Sequence, residues 1–397
     1  MTEICDASNA KDLRSAIIAA CAMLLTFAAV AVPVPLYAEY KIALGLTDAD
    51  ISLTMVSYLT GVLTTLFVGG SLSDALGRRP LVAAALLFGS LACALYIWLP
   101  NGAALQIARM VQGVSCGLTM SATSAFMLDC TSQRYRTFGT TIASTGCLIG
   151  MMIGSLGIGI YATFSRNYIP MFGVLIVLMM LNAVLLPLAQ ETVTQRITIR
   201  KAIKPLVRIP KNLRPVFPLA AGCYIAAWGT GVFFQSLSTP AAVAYFQSTD
   251  PLIPALMFAL AMAPSALGGP MSARTTTRFA VYGGTALLCV SYAILWVTLT
   301  KGMTVPFLIA DGVFSVSTGI LLSASMHMLI SYSDPADSAS VVSLINFTGY
   351  VGSTVVSIAM STIANTLALS TVFMVGFAIS MVFMIPGFAT KALRKQR

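Results

Sequence analysis

Charge is what this sequence lacks most. Only 9% of its 397 residues are Asp, Glu, Lys or Arg, against about 25% in an average soluble protein. Apolar types make up 57%, and a water-soluble body of this size needs far more polar surface than that leaves. Acids are scarcest: 13 Asp and Glu stand against 23 Lys and Arg, with a single histidine, His327. Cysteine pairing is also absent. Most of the eight cysteines fall inside apolar runs with no paired or metal-type spacing, so they read as reduced, small apolar residues. No nucleotide loop, metal cluster or nucleophile motif appears, so neither an enzyme nor a cofactor is expected.

What is present is a series of apolar runs of about 20 residues, each long enough to span a bilayer as a helix. Lipid offers the backbone no hydrogen-bond partners, and the runs do not alternate as barrel strands do, so helices are predicted. Six predicted spans are Ser15–Tyr37, Ile51–Leu72, Leu81–Leu99, Ala103–Leu128, Phe138–Phe164 and Ile169–Leu188. After a polar segment, Gln190–Arg214, come Val216–Leu237, Leu252–Leu267, Phe279–Leu299, Thr304–Ile330, Ala339–Ile363 and Leu367–Phe388. The eighth is the least regular, crowded by Pro254, Pro264 and Gly268-Gly269-Pro270. Ala29-Val30-Ala31 mimics a signal-peptidase site, but its apolar run is too long and further spans follow at once.

The net charge of +10 is carried in loops, which points to membrane topology rather than to a nucleic-acid partner. One set of loops holds Lys11, Arg14, Arg78, Arg79, Arg134, Arg136, seven basic residues from Arg196 to Arg214, Arg274, Arg278 and four from Lys391 to Arg397. The other side holds only Lys41, Arg166 and Lys301, and Arg109 lies within a span. This asymmetry predicts that both termini and the central segment are cytoplasmic. The basic central segment also suits the anionic inner leaflet.

The chain repeats itself. Ile107-Ala108-Arg109 aligns with Ile309-Ala310-Asp311 at an offset of 202, which also pairs Val114-Ser115-Cys116-Gly117 with Val316-Ser317-Thr318-Gly319 and Gly150 with Gly352. Gly69-Gly70 likewise matches Gly268-Gly269. The expected organisation is a tail (1–14), a six-helix bundle (15–189), a basic linker (190–214), a second six-helix bundle (215–389) and a basic tail (390–397). Two parallel halves of this kind are a transporter architecture, with the substrate site at the repeat interface.

Between the second and third spans stands Gly69-Gly70-Ser71-Leu72-Ser73-Asp74-Ala75-Leu76-Gly77-Arg78-Arg79-Pro80. It resembles the signature loop of the major facilitator superfamily, G-x-L-x-D-x-x-G-R-[RK]. That resemblance implies an all-α fold of twelve transmembrane helices in two pseudo-symmetric bundles. It also implies a charge cluster of Asp74, Arg78 and Asp129 beside Gly70, Gly77 and Arg79, acting as a conformational latch. In the fourth span, Arg109-Met110-Val111-Gln112-Gly113 resembles the superfamily's R-x-x-Q-G element, linked to proton coupling. Gly146, Gly150, Gly154 and Gly157 resemble the glycine-rich element of its drug–proton antiporters, although Ser155 stands where that family has Pro, and close helix packing is the competing reading. The second-half loop is degenerate, with Ala273 and Thr277 where Asp74 and Arg78 stand in the first.

Asp311 is the one acid placed deep within a span, about seven residues or roughly 10 Å from its outer end, and intramembrane ionisable residues are functional candidates. Its repeat partner is Arg109, so a charged pair across the central cavity is expected. Thr26, Tyr37, Tyr224, Trp228, Gln235 and Asn346 are further candidates for a substrate cavity. The expected function is proton-coupled efflux of a small amphipathic organic compound by a monomer in a bacterial inner membrane. The alternatives are transport of a sugar or organic anion on the same fold, and a non-transporting membrane sensor.

Overall fold

The computed structural model describes residues 2–69, 72–130, 136–193, 198, 209, 212–333 and 338–386. Most of those residues are helical, with no strand among them. Helix α1 runs Thr2–Ala31, so it begins well before the predicted start near Ser15. A short 3-10 turn, Val34–Leu36, leads to α2, Tyr37–Leu44. Then follow α3 (Asp48–Gly69), α4 (Leu72–Leu76), α5 (Arg78–Ile97), α6 (Gly102–Cys130), α7 (Arg136–Phe164) and α8 (Ile169–Leu185). The second half comprises α9 (Phe217–Ser236), α10 (Ser238–Phe246), α11 (Leu252–Met262), α12 (Gly268–Ala273), α13 (Thr277–Thr300), α14 (Thr304–Tyr332), α15 (Ser338–Ile363) and α16 (Leu369–Val382). Ten described helical stretches are long and apolar enough to cross a membrane. Helix α6 and the shorter apolar α16 occupy the remaining two predicted spans.

The breaks have local causes. Pro33 and Pro35 have no N–H to give to the carbonyls of Ala29 and Ala31, so α1 stops there and the chain steps into α2. The sequence reads this as the end of one straight span. Instead a second apolar helix follows it, closed by Gly45 in the left-handed region at φ 63°. In the eighth span, Pro264 and Pro270 do not end the helix. They tighten it into a 3-10 stretch, Ala263–Leu267, before α12.

The chain forms two compact units: Met1–Pro33 with Ser57–Pro205, and Val34–Val56 with Leu206–Arg397. Residues 34–56, which the sequence assigns to the first bundle, therefore pack in the second unit. There Thr239 Oγ1 donates to the Val34 carbonyl at 2.7 Å.

The internal repeat reappears as packing. In the first unit a Cβ on Gly117 of α6 would lie 2.8 Å from the Thr65 side chain of α3. In the second, a Cβ on its repeat mate Gly319 of α14 would lie 1.9 Å from the Ser265 carbonyl oxygen. Gly150 of α7 faces the Leu24 carbonyl of α1, where a Cβ would sit at 2.7 Å, and Gly352 of α15 faces Ile225 of α9, at 2.4 Å. Both pairs hold a helix crossing open for close backbone approach, the use of small residues expected inside membranes.

Candidate functional site

The signature loop is built around helix N-termini. Gly77 adopts φ 103°, which a side chain rarely tolerates, and turns the chain from α4 into α5. The first backbone N–H groups of α5 then need acceptors. Glu191, just beyond the sixth span, supplies them: its carboxylate accepts from Arg78 N at 2.9 Å and Arg79 N at 3.1 Å. The same carboxylate accepts from Thr192 N at 3.1 Å and Val193 N at 3.3 Å, which anchors its own strand of chain. Arg78 Nε pairs with Asp129 Oδ2 at 3.2 Å and its guanidinium also donates to Ser73 Oγ. Asp129 Oδ2 in turn accepts from Thr192 Oγ1 at 3.1 Å. The expected Arg78–Asp129 contact is thus present. Gly70 and the side chain of Asp74 lie outside the described residues. Glu191 was missed because it reads as the first acid of a basic linker. Its scarcity as an acid beside a membrane face was the available signal.

The Arg109–Gln112 element serves the broken end of α1. Arg109 is only 3% exposed, so it is not a side chain reaching out to the membrane surface. Its Nη1 donates to the Val30 carbonyl at 2.9 Å and to Gln112 Oε1 at 2.7 Å, and its guanidinium lies 5.9 Å from the Tyr58 ring centroid. Gln112 Nε2 donates to the Ala29 carbonyl at 2.5 Å, the acceptor that Pro33 leaves without a helical partner. Tyr96 approaches Gln112 Oε1 at 3.5 Å. One turn of side chain on α6 therefore satisfies two terminal carbonyls of α1.

The glycine-rich element of α7 packs on the same helix. A Cβ on Gly154 would lie 2.1 Å from the Ala28 carbonyl oxygen, and one on Gly146 would lie 2.9 Å from Met23 Sδ. Thr26 is buried between them and accepts from Thr119 Oγ1 at 3.2 Å.

In the second unit, Asp311 is completely buried in α14, and neither carboxylate oxygen has a hydrogen-bond partner among the described residues. Ser315 Oγ, one turn on, is buried and equally unpartnered. Phe307 and Phe314 lie at i−4 and i+3 from Asp311 and so share its face. Phe234 of α9 stacks 5.3 Å from Phe314 and lies 6.3 Å from Phe307. Of the expected Arg109–Asp311 pair, Arg109 belongs to the first unit and Asp311 to the second.

The remaining candidates of that unit fall into two groups. Tyr224 donates to Asn346 Oδ1, and Trp228 lies 5.9 Å from Tyr350, so α9 and α15 share an aromatic and amide face. Tyr37 is buried and its hydroxyl accepts from Thr54 Oγ1 at 3.1 Å. Gln235 is buried on α9, and His327 is exposed near the end of α14.

A repeated bundle of apolar helices, with a capped basic loop and a buried acid, defines a polytopic membrane protein of the transporter type. The sequence profile of the Major Facilitator Superfamily matches residues 19–357, and the chain belongs to that family. Among curated relatives, the quinolone resistance protein NorA of Staphylococcus aureus is 25% identical over 134 residues, 33% of this chain and 34% of that protein. The multidrug resistance protein MdtL of Shewanella sp. (strain ANA-3) is 31% identical over 93 residues, 23% of this chain and 24% of that protein. The chain thus matches about a third or less of the length of these relatives. Among solved structures, a D-xylose-proton symporter superposes with a TM-score of 0.75 at 11% identity, covering 95% of this chain and 97% of that one. The xylose transporter XylE from E. coli, in an inward open conformation, gives 0.73 at 10% identity and covers 95% of each. At these identities the likeness shows the fold alone.

Proposed function

We propose that the protein is a secondary transporter of the bacterial inner membrane, exporting small amphipathic organic compounds in exchange for protons by rocker-switch alternating access. The observation that carries this reading is Asp311, a buried carboxyl on a membrane-spanning helix, about two turns from its end, with no hydrogen-bond partner among the described residues. Burying a carboxylate is far costlier than burying a neutral acid. In this reading Asp311 takes up the coupling proton in one conformation and releases it in the other. That change of charge is the coupling step. The drug-resistance relatives support an amphipathic cargo over a sugar. The aromatic and amide face of Tyr224, Trp228 and Asn346 supports it too, since such surfaces suit flat organic molecules.

The test is a substrate-panel susceptibility assay in an efflux-deficient host, followed by transport in vesicles. Asp311→Asn keeps the side-chain size and removes the titration. It should abolish gradient-driven accumulation while downhill exchange persists. Full gradient-driven transport by Asp311→Asn would refute the coupling role. A cargo found only among sugars or organic anions would favour metabolite transport instead.

A further inference from the structure

Residues 34–56 are held in the second unit by a polar contact whose residues fit a releasable catch. Ser361 and Asn365 lie four residues apart on and just beyond the end of α15, and so on one face. Together they hold both backbone groups of one residue. Asn365 Oδ1 accepts from Ala49 N at 3.0 Å, and Ser361 Oγ donates to the Ala49 carbonyl at 3.0 Å. Asn365 Nδ2 also donates to Thr47 Oγ1 at 3.2 Å. Ala49 sits in the first turn of α3, where backbone N–H groups have no helical acceptor, so Asn365 acts as a remote cap. Beside the contact lies an open cleft of about 750 Å³, lined in part by Lys41, Asp48, Tyr245, Ala364 and Asn365.

The helix does not depend on this cap. Thr47 and Asp50 already form a local capping box: Thr47 Oγ1 accepts from Asp50 N at 3.2 Å, and Asp50 Oδ2 accepts from Thr47 N at 2.9 Å. Lys41 pairs with Asp48 at 2.6 Å and ties the turn between α2 and α3 to itself. When Asn365 and Ser361 withdraw, water replaces them at a partly exposed site and α3 stays capped. A contact that breaks without leaving a buried polar group unsatisfied is reversible at low cost.

We propose that Ser361 and Asn365 are positioning residues of an outer latch. They hold the first turn of α3 in the closed state on the side carrying Lys41, Arg166 and Lys301, and release it when that side opens. The proposal rests on the orientation set by the charge asymmetry, and not on any cargo.

The experiment is whole-cell labelling with a membrane-impermeant maleimide, corrected for protein amount in the membrane and for the chain without an added cysteine. Ala364→Cys, buried beside the cleft, reports opening. Adding Asn365→Ala should raise its labelling rate about fivefold, the effect of losing hydrogen bonds of this kind. Ser361→Ala should raise it about twofold, the effect of losing one. Asp50→Ala weakens the local cap and leaves the latch, so its rate should stay near that of Ala364→Cys alone. An unchanged rate with Asn365→Ala overturns the proposal. So does an equal rise with Asp50→Ala, which reduces the effect to fraying of α3. Asn101→Cys, in an exposed loop expected on the same side, must label. Failure there overturns the orientation and the latch with it, whatever the protein transports.

Discussion

Replacing Glu191 tests how the signature loop is held. Its carboxylate accepts from two N-terminal amides of α5 and two amides of its own segment, at 2.9 to 3.3 Å. Loss of a helix cap costs about 1 kcal/mol, with a range of roughly 0.5–2. The interaction of the negative charge with the positive end of the α5 dipole adds roughly 0.3–1 kcal/mol. Glu191→Ala should therefore destabilise the protein by about 2 kcal/mol, and Glu191→Gln, which keeps one oxygen and loses the charge, by about 1 kcal/mol. Gly77 provides an internal check. A Cβ there would lie 2.8 Å from Glu191 Oε2, on a backbone already at φ 103°. Gly77→Ala thus suffers both a clash and backbone strain, of which only the clash is relieved by Glu191→Ala. The two substitutions should be less than additive by about 1 kcal/mol, within the usual range for residues in contact. Thermal unfolding of the detergent-solubilised protein reads the cycle, with transport measured on the same variants. Wild-type stability of Glu191→Ala, or strict additivity with Gly77→Ala, would refute the capping role.

Other outcomes follow from the same packing. Arg109→Gln should lower stability by about 1–3 kcal/mol, because it leaves the buried Val30 carbonyl without its described donor; an unchanged unfolding temperature would count against it. Gly113→Ala should prevent accumulation of folded protein, since its Cβ would meet the Tyr58 carbonyl oxygen at 2.0 Å. Gly312→Ala, with nothing within 4 Å, should be tolerated, and equal expression of the two would contradict the α3–α6 crossing. Reporter fusions after Asn101, Arg166 and Lys301 should report outside and a fusion at Arg208 inside; an inside signal at Arg166 would break the twelve-span topology.

Much of the site was legible in part. Arg78 with Asp129 was readable through the resemblance of the signature loop to that of the Major Facilitator Superfamily, which implies an acid at the end of the fourth span beside the first arginine. Arg109 and Gln112 were recognised as a unit through the R-x-x-Q-G resemblance, with a coupling role expected for them. In the structure they donate to two carbonyls at the end of α1, of which Ala29 is the one that Pro33 leaves without a helical partner. Pro33 was visible in the sequence. Which donor reaches the Ala29 carbonyl was not, since that depends on α1 and α6 lying side by side. Asn365 gave no signal at all, being one amide in a loop that contacts residues more than 300 positions earlier.

The sequence alone determined the solvent, the secondary structure and the repeat. Lipid leaves a run of about 20 apolar residues no alternative to a helix, and small residues recur where the two halves make the same crossings. The tertiary structure alone decided which polar groups meet. It gave Glu191 to the start of α5, Arg109 to the end of α1 and the segment 34–56 to the second unit, and it left Asp311 with no hydrogen-bond partner among the described residues. Composition and periodicity describe one helix at a time. Hydrogen bonds inside a membrane protein are shared between helices, at positions set by where each helix breaks and which neighbour lies against the break.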